Sequence, residues 1–385
     1  MNERIGIING NVLSDGEFVT RDILIENDKI VEIASSIDHD KADSIIDASD
    51  LTVMPGFVDI HTHGAVRVDY NHATSRELHA VNDFFSSHGV TAYLPTVMTD
   101  TVQTMKRQLA IIAGSEIKQI AGIHLEGPFL CKKYKGAMPE ELLQPFNLDL
   151  FLELNEAARQ RIKVVTVAPE LPGAVDFIEA VSALGVKVSL GHSSASYEQA
   201  MAAIEAGAVG TTHIMNAMKL LHMHDPAILS AALESDVYAE MICDGIHLHP
   251  PIVRLLLKIK SMDRMIAVTD SIMATGCPDG KYILGVNDIV VEYGDAKVIA
   301  SGARAGSTLT MDRALRNIMD FTGLPLKKTN NLVSQNALRM LGLEQLTGTI
   351  EKGKRADLVL MDSSNNVRYT IAAGKVVFSG EHDEA

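Results

Sequence analysis

The sequence has little cysteine, no long hydrophobic run and a shortage of basic residues, and each shortage excludes a class of protein. Only 3 of its 385 residues are cysteines, none in a CxxC arrangement, which argues against a disulfide framework or a cysteine-based zinc site. No apolar run approaches the ~20 residues of a membrane span, and the N-terminus MNERIGIING lacks the apolar core of a signal peptide. The 34 basic and 49 acidic residues give a net charge of −15, which opposes binding to a nucleic-acid backbone. We therefore expect a cytoplasmic protein that binds neither nucleic acid nor membrane.

Short β-strands are predicted at both ends of the chain. The first fifty residues alternate or cluster β-branched side chains, with turn signals at Asn9-Gly10 and Asp15-Gly16. The C-terminal segments RADLVLMD, NVRYTIAAG and KVVFSG have the same texture. The simplest explanation is one small β-sandwich built from residues 1–53 and 346–385, with a large domain of residues 54–345 inserted between them.

The middle of the chain alternates predicted strands with stretches of helical spacing. Eight strand-helix units over about 270 residues are the size expected for a (β/α)₈ TIM-like barrel, so the fold class is α/β. A doubly wound open sheet is the competing architecture, but no GxGxxG follows the first strand. A β-like insertion near residues 277–300 follows the eighth strand. The predicted strands are 53–60, 90–97, 120–125, 164–168, 186–190, 210–213, 239–242 and 265–269.

Histidines and carboxylates occur at the ends of most predicted barrel strands, where the active site of such a barrel lies. Two histidines at positions i and i+2 of a strand point to the same face and can reach one ion. Each histidine alone is better explained as a satisfied interior residue, but five ligand-type residues at the ends of four strands are not expected by chance. The sequence therefore predicts a metal site. Its candidate ligands are His61, His63, Glu126, His192 and His213.

Asp270 follows the eighth predicted strand. A helix-capping role is one explanation, because Ser271 comes next. Beside a metal, however, the carboxylate is better interpreted as a general acid/base that acts on water.

Several motifs carry a resemblance to a known family. PGFVDIHTHG (55–64) is similar to the first-strand signature of the amidohydrolase superfamily. HLEGPF (124–129), GHSSA (191–195), THIMNAM (212–218), DGIH (244–247) and VTDS (268–271) resemble the N-acetylglucosamine-6-phosphate deacetylases specifically. The glutamate of HLEGP, in place of the carbamylated lysine of many superfamily members, is the most specific of these features. The match runs from about residue 5 to residue 380.

The resemblance implies roles for individual residues. It makes Glu126, His192 and His213 the ligands of a principal metal, and the presence of His61 and His63 allows a second ion bridged by Glu126. One or two divalent ions are thus implied, with Zn²⁺ or Fe²⁺ favoured and Mn²⁺ or Co²⁺ also compatible. Asp270 becomes the catalytic acid/base. The resemblance also implies a homodimer, and the substrate contacts that it implies are Asn216, Ala217 and His247.

Two departures from the family pattern concern the substrate. The family usually has a histidine in the loop after HLEGP, where this chain reads Lys135-Gly136-Ala137-Met138. An arginine that reaches the substrate phosphate across the dimer usually precedes Glu-Pro after the NAM motif. This chain has His224 at that position, and His224 is therefore a further candidate contact.

The resemblance implies metal-dependent removal of the acetyl group from an N-acetyl amino sugar 6-phosphate, with N-acetylglucosamine 6-phosphate favoured. The alternatives are N-acetylgalactosamine 6-phosphate, an unphosphorylated N-acetyl sugar, or an N-acyl amino acid as substrate. A non-enzymatic sensor is disfavoured, because a pure binder has no use for a base beside the metal.

Overall fold

The computed structural model describes residues 3–380, in which strands and helices alternate through the middle of the chain. The first strands are β1 (Arg4–Ser14), β2 (Glu17–Glu26), β3 (Lys29–Ala34), β4 (Ser44–Asp47), β5 (Thr52–Pro55), β6 (Phe57–Thr62), β7 (Gly64–Ala65), β8 (Val68–Asp69), β9 (Val90–Met98), β10 (Ile123–Glu126) and β11 (Ile162–Val167). The others are β12 (Lys187–Leu190), β13 (Ala208–Thr211), β14 (Tyr238–Ile242), β15 (Met265–Val268), β16 (Gly280–Leu284), β17 (Asn287–Glu292), β18 (Asp295–Val298), β19 (Arg304–Ser307), β20 (Leu358–Met361), β21 (Val367–Ala372) and β22 (Lys375–Ser379).

Most of the helices lie between consecutive strands of the middle segment. They are α1 (Ser75–Ser87), α2 (Val102–Ala113), α3 (Leu148–Ala157), α4 (Ala174–Ala183), α5 (Tyr197–Glu205), α6 (Ala227–Glu234), α7 (Pro250–Ile259), α8 (Met311–Thr322), α9 (Leu326–Asn330) and α10 (Asn336–Leu341). A π-helical turn, Asn331–Gln335, joins α9 to α10. Among the described residues, no helix has both the length and the apolar character needed to cross a membrane.

Eight parallel strands form a nearly closed barrel. Their spatial order, β6-β9-β10-β11-β12-β13-β14-β15, follows the chain. A parallel bridge between Thr62 and Ser271 brings the segment after β15 next to the end of β6. A doubly wound sheet would instead reverse its strand order at a switch point. The TIM-barrel prediction is therefore confirmed and the open-sheet alternative is excluded.

Local sequence explains why these strands and helices form where they do. Every residue of β9 is buried, as expected for a parallel strand covered on both faces. The helix α1 begins with a capping box, in which Thr74 and Glu77 satisfy each other's backbone N–H groups. Its buried residues Leu78, Val81 and Phe85 recur at helical spacing and face the barrel.

A second sheet joins the two ends of the chain. Its strand order is β22-β21-β20-β5-β1-β2-β3, with β4 paired to β1. The strand predicted at 53–60 is two strands: β5 pairs with β20 in this sheet, whereas β6 belongs to the barrel. Gly56 lies between the two strands. A side chain is not tolerated there, because a Cβ atom would lie 2.2 Å from the Thr91 side chain. The strand β5 runs across the predicted boundary at residue 53, and the division into domains stays a prediction.

The insertion after β15 is a four-stranded antiparallel sheet, β16-β17-β18-β19. It extends to Ser307, beyond the predicted end near residue 300, because β19 returns to pair with β18. Its apolar side packs on Met98, at the end of β9, and on the loop residues Leu130 and Met138. The sheet therefore stands beside the mouth of the barrel.

Candidate functional site

The candidate residues lie together at the carboxyl ends of the barrel strands. Glu126 is the last residue of β10. His192, His213 and Asp270 each stand two residues after β12, β13 and β15, and each has a positive φ of 30–49°. A non-glycine residue in this region of φ is uncommon and often marks a functional site. The repeated conformation turns three side chains over the barrel mouth.

Glu126 is at the centre of the cluster. Its Oε1 lies 3.1 Å from His192 Nε2 and 3.2 Å from His213 Nε2, and its Oε2 lies 3.3 Å from His63 Nε2. His61 Nε2 is 3.4 Å from Glu126 Oε1 and 3.3 Å from His63 Nε2. Asp270 Oδ1 approaches His63 Nε2 to 3.2 Å. The sequence predicted this grouping, and the structure brings all six residues together.

The outer nitrogen of three imidazoles has a hydrogen-bond acceptor. His61 Nδ1 donates to Glu240 Oε2 at 3.0 Å, His192 Nδ1 to the Tyr134 carbonyl at 2.8 Å, and His213 Nδ1 to the Asn216 carbonyl at 3.2 Å. A proton on each Nδ1 leaves the Nε2 lone pair directed into the cluster. Histidine ligands of metals usually have this arrangement. The nitrogen and carboxylate donors therefore fit a divalent ion such as Zn²⁺ or Fe²⁺.

Glu240 is a buried member of the site that the sequence analysis did not single out. The same Oε2 atom accepts hydrogen bonds from His61 Nδ1 and from the His213 backbone N–H, at 3.0 and 3.1 Å. Glu240 therefore links His61, in the first barrel strand, to His213. The only sequence signal was a carboxylate inside the otherwise apolar strand β14.

His124 lies next to this cluster, against His61, and is fully buried. Its Nδ1 interacts with the Ile60 carbonyl at 2.9 Å and its Nε2 with Thr166 Oγ1 at 2.8 Å. Burial, together with the repulsion that a protonated His61 would add, lowers the pKa of His124 to about 4. His124 thus has both ring nitrogens hydrogen-bonded, and its ring packs edge-on against that of His61.

Charges within the cluster outweigh the cost of burial. At His63 burial lowers the pKa, but hydrogen bonds to Asp270 and Glu126 reverse this and raise it to about 9. At Asp270 burial raises the pKa, but the charge of His61 and the hydrogen bond to His63 hold it at about 2. Two buried carboxylates thus need nearby positive charge, and a divalent ion supplies it.

A cavity of about 680 Å³ opens above the cluster. Asn216, Ala217 and His247 line it together with the candidate metal ligands. His247 is held in place by Asp244, whose Oδ2 accepts from His247 Nδ1 at 2.7 Å. His224 is exposed and lies outside the lining of this cavity in its own chain.

Comparison with known proteins decides the family. Residues 52–377 match the sequence profile of the amidohydrolase family. The N-acetylglucosamine-6-phosphate deacetylase of Vibrio furnissii is 34% identical over 92% of this chain and 90% of its own length. This chain belongs to the N-acetylglucosamine-6-phosphate deacetylase family of amidohydrolases. An N-acetylgalactosamine-6-phosphate deacetylase of Escherichia coli O157:H7 is also 34% identical, over 84% of this chain and 86% of its own length.

Solved structures of N-acetylglucosamine-6-phosphate deacetylases have the same fold. The enzyme from Mycobacterium smegmatis, in a mutant complex with N-acetyl-D-glucosamine-6-phosphate, matches with a TM-score of 0.90 at 32% identity, covering 98% of this chain and 100% of that chain. The enzyme from Pasteurella multocida gives a TM-score of 0.92 at 27% identity, covering 98% and 100%.

This member of the deacetylase family differs where Met138 replaces the expected histidine. Met138 lines the cavity but is only 3% exposed, because it packs into the apolar core beneath the insertion sheet. Asn287 Nδ2 donates to the Ala137 carbonyl at 2.7 Å and ties this loop to β17. The loop also approaches the candidate ligand His192 closely, since a Cβ atom on Gly136 would lie 3.2 Å from His192 Cε1. Met138 thus packs the loop against the insertion sheet at the position where a histidine is expected.

Proposed function

We propose that this chain hydrolyses the acetamide of N-acetylglucosamine 6-phosphate to acetate and glucosamine 6-phosphate. The observation that carries the proposal is the convergence of four imidazole Nε2 atoms on Glu126, beneath a cavity that is also lined by Asn216, Ala217 and His247. The names of the related deacetylases support this substrate.

Glu126, His192 and His213 would hold the principal ion in this proposal, and His61 with His63 would complete a second position that shares Glu126. His61, His63 and Asp270 form a group whose ligand-type atoms all lie within 4.8 Å of one another, and this supports the second position. A bound divalent ion supplies Lewis acidity that polarises the amide carbonyl and the attacking water.

Asp270 is the proposed acid/base. The carboxylate accepts a proton as water attacks the carbonyl carbon and then delivers that proton to the sugar nitrogen as the C–N bond breaks. Proton delivery is needed because an amine anion is a very poor leaving group. The low pKa of Asp270 keeps the carboxylate ionised, which is the form that can accept a proton. His247, fixed by Asp244, and main-chain groups at Asn216 and Ala217 would orient the sugar.

We further propose a cytoplasmic homodimer. His224 is exposed on a turn that also exposes three large apolar side chains, Leu220, Leu221 and Met223. Contiguous apolar exposure is typical of a protein interface. From such an interface His224 would reach the substrate of a neighbouring subunit, since it lies outside the cavity of its own chain.

A deacetylation screen tests the proposed substrate. Acetate release is measured with N-acetylglucosamine, N-acetylgalactosamine, N-acetylmannosamine and the 6-phosphate of each, using metal-replete protein. The highest kcat/KM is expected with N-acetylglucosamine 6-phosphate. A higher value with the galactosamine epimer would move the assignment to the activity named for the Escherichia coli relative. Activity on N-acyl amino acids alone would overturn the amino-sugar assignment.

A further inference from the structure

The cavity above the metal-binding cluster is rich in positive charge, although the whole chain carries a net charge of −15. The acidic side chains in the described lining are Glu126 and Asp270, both part of the cluster itself. The basic side chains of the lining come from two parts of the chain, the loop after β10 and the insertion sheet. They are Lys132, Lys133, Lys135, Lys297 and Arg304. An anion is therefore favoured at the outer end of the cavity.

Arg304 lies on the face of β19 that borders Asp270. It opens β19, in which Ala305 and Ser307 are buried on one face. Gly306, on the other face, adjoins the catalytic group: a Cβ atom there would lie 3.5 Å from Asp270 Oδ1. Residues two apart on a strand share a face about 7 Å apart. Arg304 therefore lies on the same face of β19 as Gly306, about 7 Å away along the strand.

Asp295 pairs with Arg304 through the Nε atom of the guanidinium and not through its two Nη atoms. Arg304 Nε donates to Asp295 Oδ1 at 3.1 Å, and Lys297 Nζ lies 2.8 Å from Asp295 Oδ2. Among the described residues, the two Nη atoms of Arg304 have no hydrogen-bond partner. A guanidinium fixed through Nε presents its remaining N–H groups as a preorganised fork that matches a phosphate.

We propose that Arg304, positioned by Asp295 and assisted by Lys297, binds the dianionic 6-phosphate of the substrate and sets the preference for phosphorylated sugars. This inference rests on the proposed function and supplies an arginine from within the same chain. Arg304 would take the place of the arginine that the family usually has at the position of His224. His224 itself lies outside this cavity. The phosphate would lie at the rim while the acetamide lies at the metal-binding cluster beside Asp270.

The test is the phosphate preference, defined as kcat/KM for N-acetylglucosamine 6-phosphate divided by kcat/KM for N-acetylglucosamine. Arg304→Gln should lower this preference at least about tenfold, mainly through KM, because a charge-assisted hydrogen-bond pair is lost. Arg304→Lys should give an intermediate value, because it keeps the charge and loses the fork. Inhibition by inorganic phosphate should weaken in parallel with the preference.

Lys281→Gln is the matched control, because it removes one charge from an exposed position of β16, outside the cavity lining. It should leave the preference within about twofold of wild type, as expected for a surface position. A preference that is strong in the wild type and unchanged in Arg304→Gln overturns this inference alone. A wild-type protein that does not hydrolyse the 6-phosphate overturns the proposed function and this inference with it.

Discussion

Glu126 lies within 3.4 Å of every other candidate ligand. Its two oxygens face four imidazole Nε2 atoms at 3.1–3.4 Å. It is also fully buried, so a neutral replacement leaves these nitrogens without their shared anionic partner. A glutamate at the end of β10 can therefore serve the principal position and bridge to the first-strand histidines.

Replacing Glu126 should harm metal binding more than replacing a first-strand histidine. We expect Glu126→Gln to lose more bound metal than His61→Asn, because the carboxylate belongs to both proposed ion positions. Elemental analysis of the two purified variants measures the occupancy directly. The reverse order would mean that the site is organised around His61 and His63, and the assignment of the principal position would be wrong.

Asp270→Asn separates catalysis from metal binding. The variant should keep its fold and its metal but lose roughly 10²–10⁴-fold in kcat, the range for a lost acid/base group. Single-turnover acetate release, with metal content determined on the same sample, measures this. Turnover close to that of the wild type in a metal-replete variant would remove Asp270 from the acid/base role.

The sequence predicted the cluster of ligands because spacing within a strand and position at a strand end are both readable from the chain. His61 lies in β6 and His63 directly after it, with their Nε2 atoms 3.3 Å apart, and Glu126 ends β10. Glu240 and Arg304 were not predicted, because their roles depend on neighbours that are distant in sequence. Glu240 reaches His61 across 179 residues, and Arg304 depends on how the insertion sheet lies beside Asp270.

The apolar runs of the barrel strands are easy to recognise in the sequence. The points where the chain passes from the barrel to another sheet are not. Runs of buried β-branched residues placed each barrel strand within a few residues of its observed bounds. The strand predicted at 53–60 was wrong in one respect, since β5 leaves the barrel to pair with β20 some 300 residues later. Local patterning cannot show which of two sheets a short apolar segment joins.

The start of α8 offers a test of one long-range ion pair. The Asp312 carboxylate binds His88 Nδ1 at 2.9 Å, Thr310 Oγ1 at 2.6 Å and Arg316 Nη2 at 2.7 Å. Burial opposes ionisation, but the hydrogen bond and charge of His88 outweigh it and hold the pKa of Asp312 far below its usual value. The carboxylate therefore ties α8 to the end of α1.

Asp312→Asn should lower the free energy of unfolding by about 1–3 kcal/mol at pH 7, the usual range for a buried charged hydrogen bond. The folded-state pKa is depressed, so this stabilisation is fully present above the unfolded value of about 3.9. It is lost as pH falls further. Urea unfolding of both proteins between pH 7 and pH 3 should show the difference shrinking below about pH 4. A difference that stays constant down to pH 3 would contradict the ionised role of Asp312.

At the scale of the whole molecule, the turn that contains His224 predicts self-association. Met223 is 81% exposed and has exposed leucines beside it, so a charge there should oppose burial in an interface. Met223→Glu should convert a dimer to a monomer in sedimentation velocity experiments. Leu184→Glu, at another exposed leucine, should leave the dimer intact. A wild-type protein that is monomeric at micromolar concentration would contradict the proposed homodimer.

The two sheets and the barrel together explain why function concentrates at one end of the molecule. The terminal sheet pairs the two ends of the chain, while the insertion sheet packs on the loops beside the metal-binding cluster. The candidate metal ligands and Asp270 all lie at or near the carboxyl ends of the barrel strands. Everything proposed for this rim depends on a divalent ion being held by the histidines and Glu126.

The most direct measurement of that dependence is a metal titration of chelator-stripped protein, with acetate release from N-acetylglucosamine 6-phosphate as the readout. Zn²⁺ or Fe²⁺ is added stepwise, and kcat/KM is plotted against the metal bound per chain. We expect negligible turnover without metal, followed by a rise in kcat/KM that saturates as the proposed metal positions fill. Full turnover in protein shown to be free of metal would contradict it.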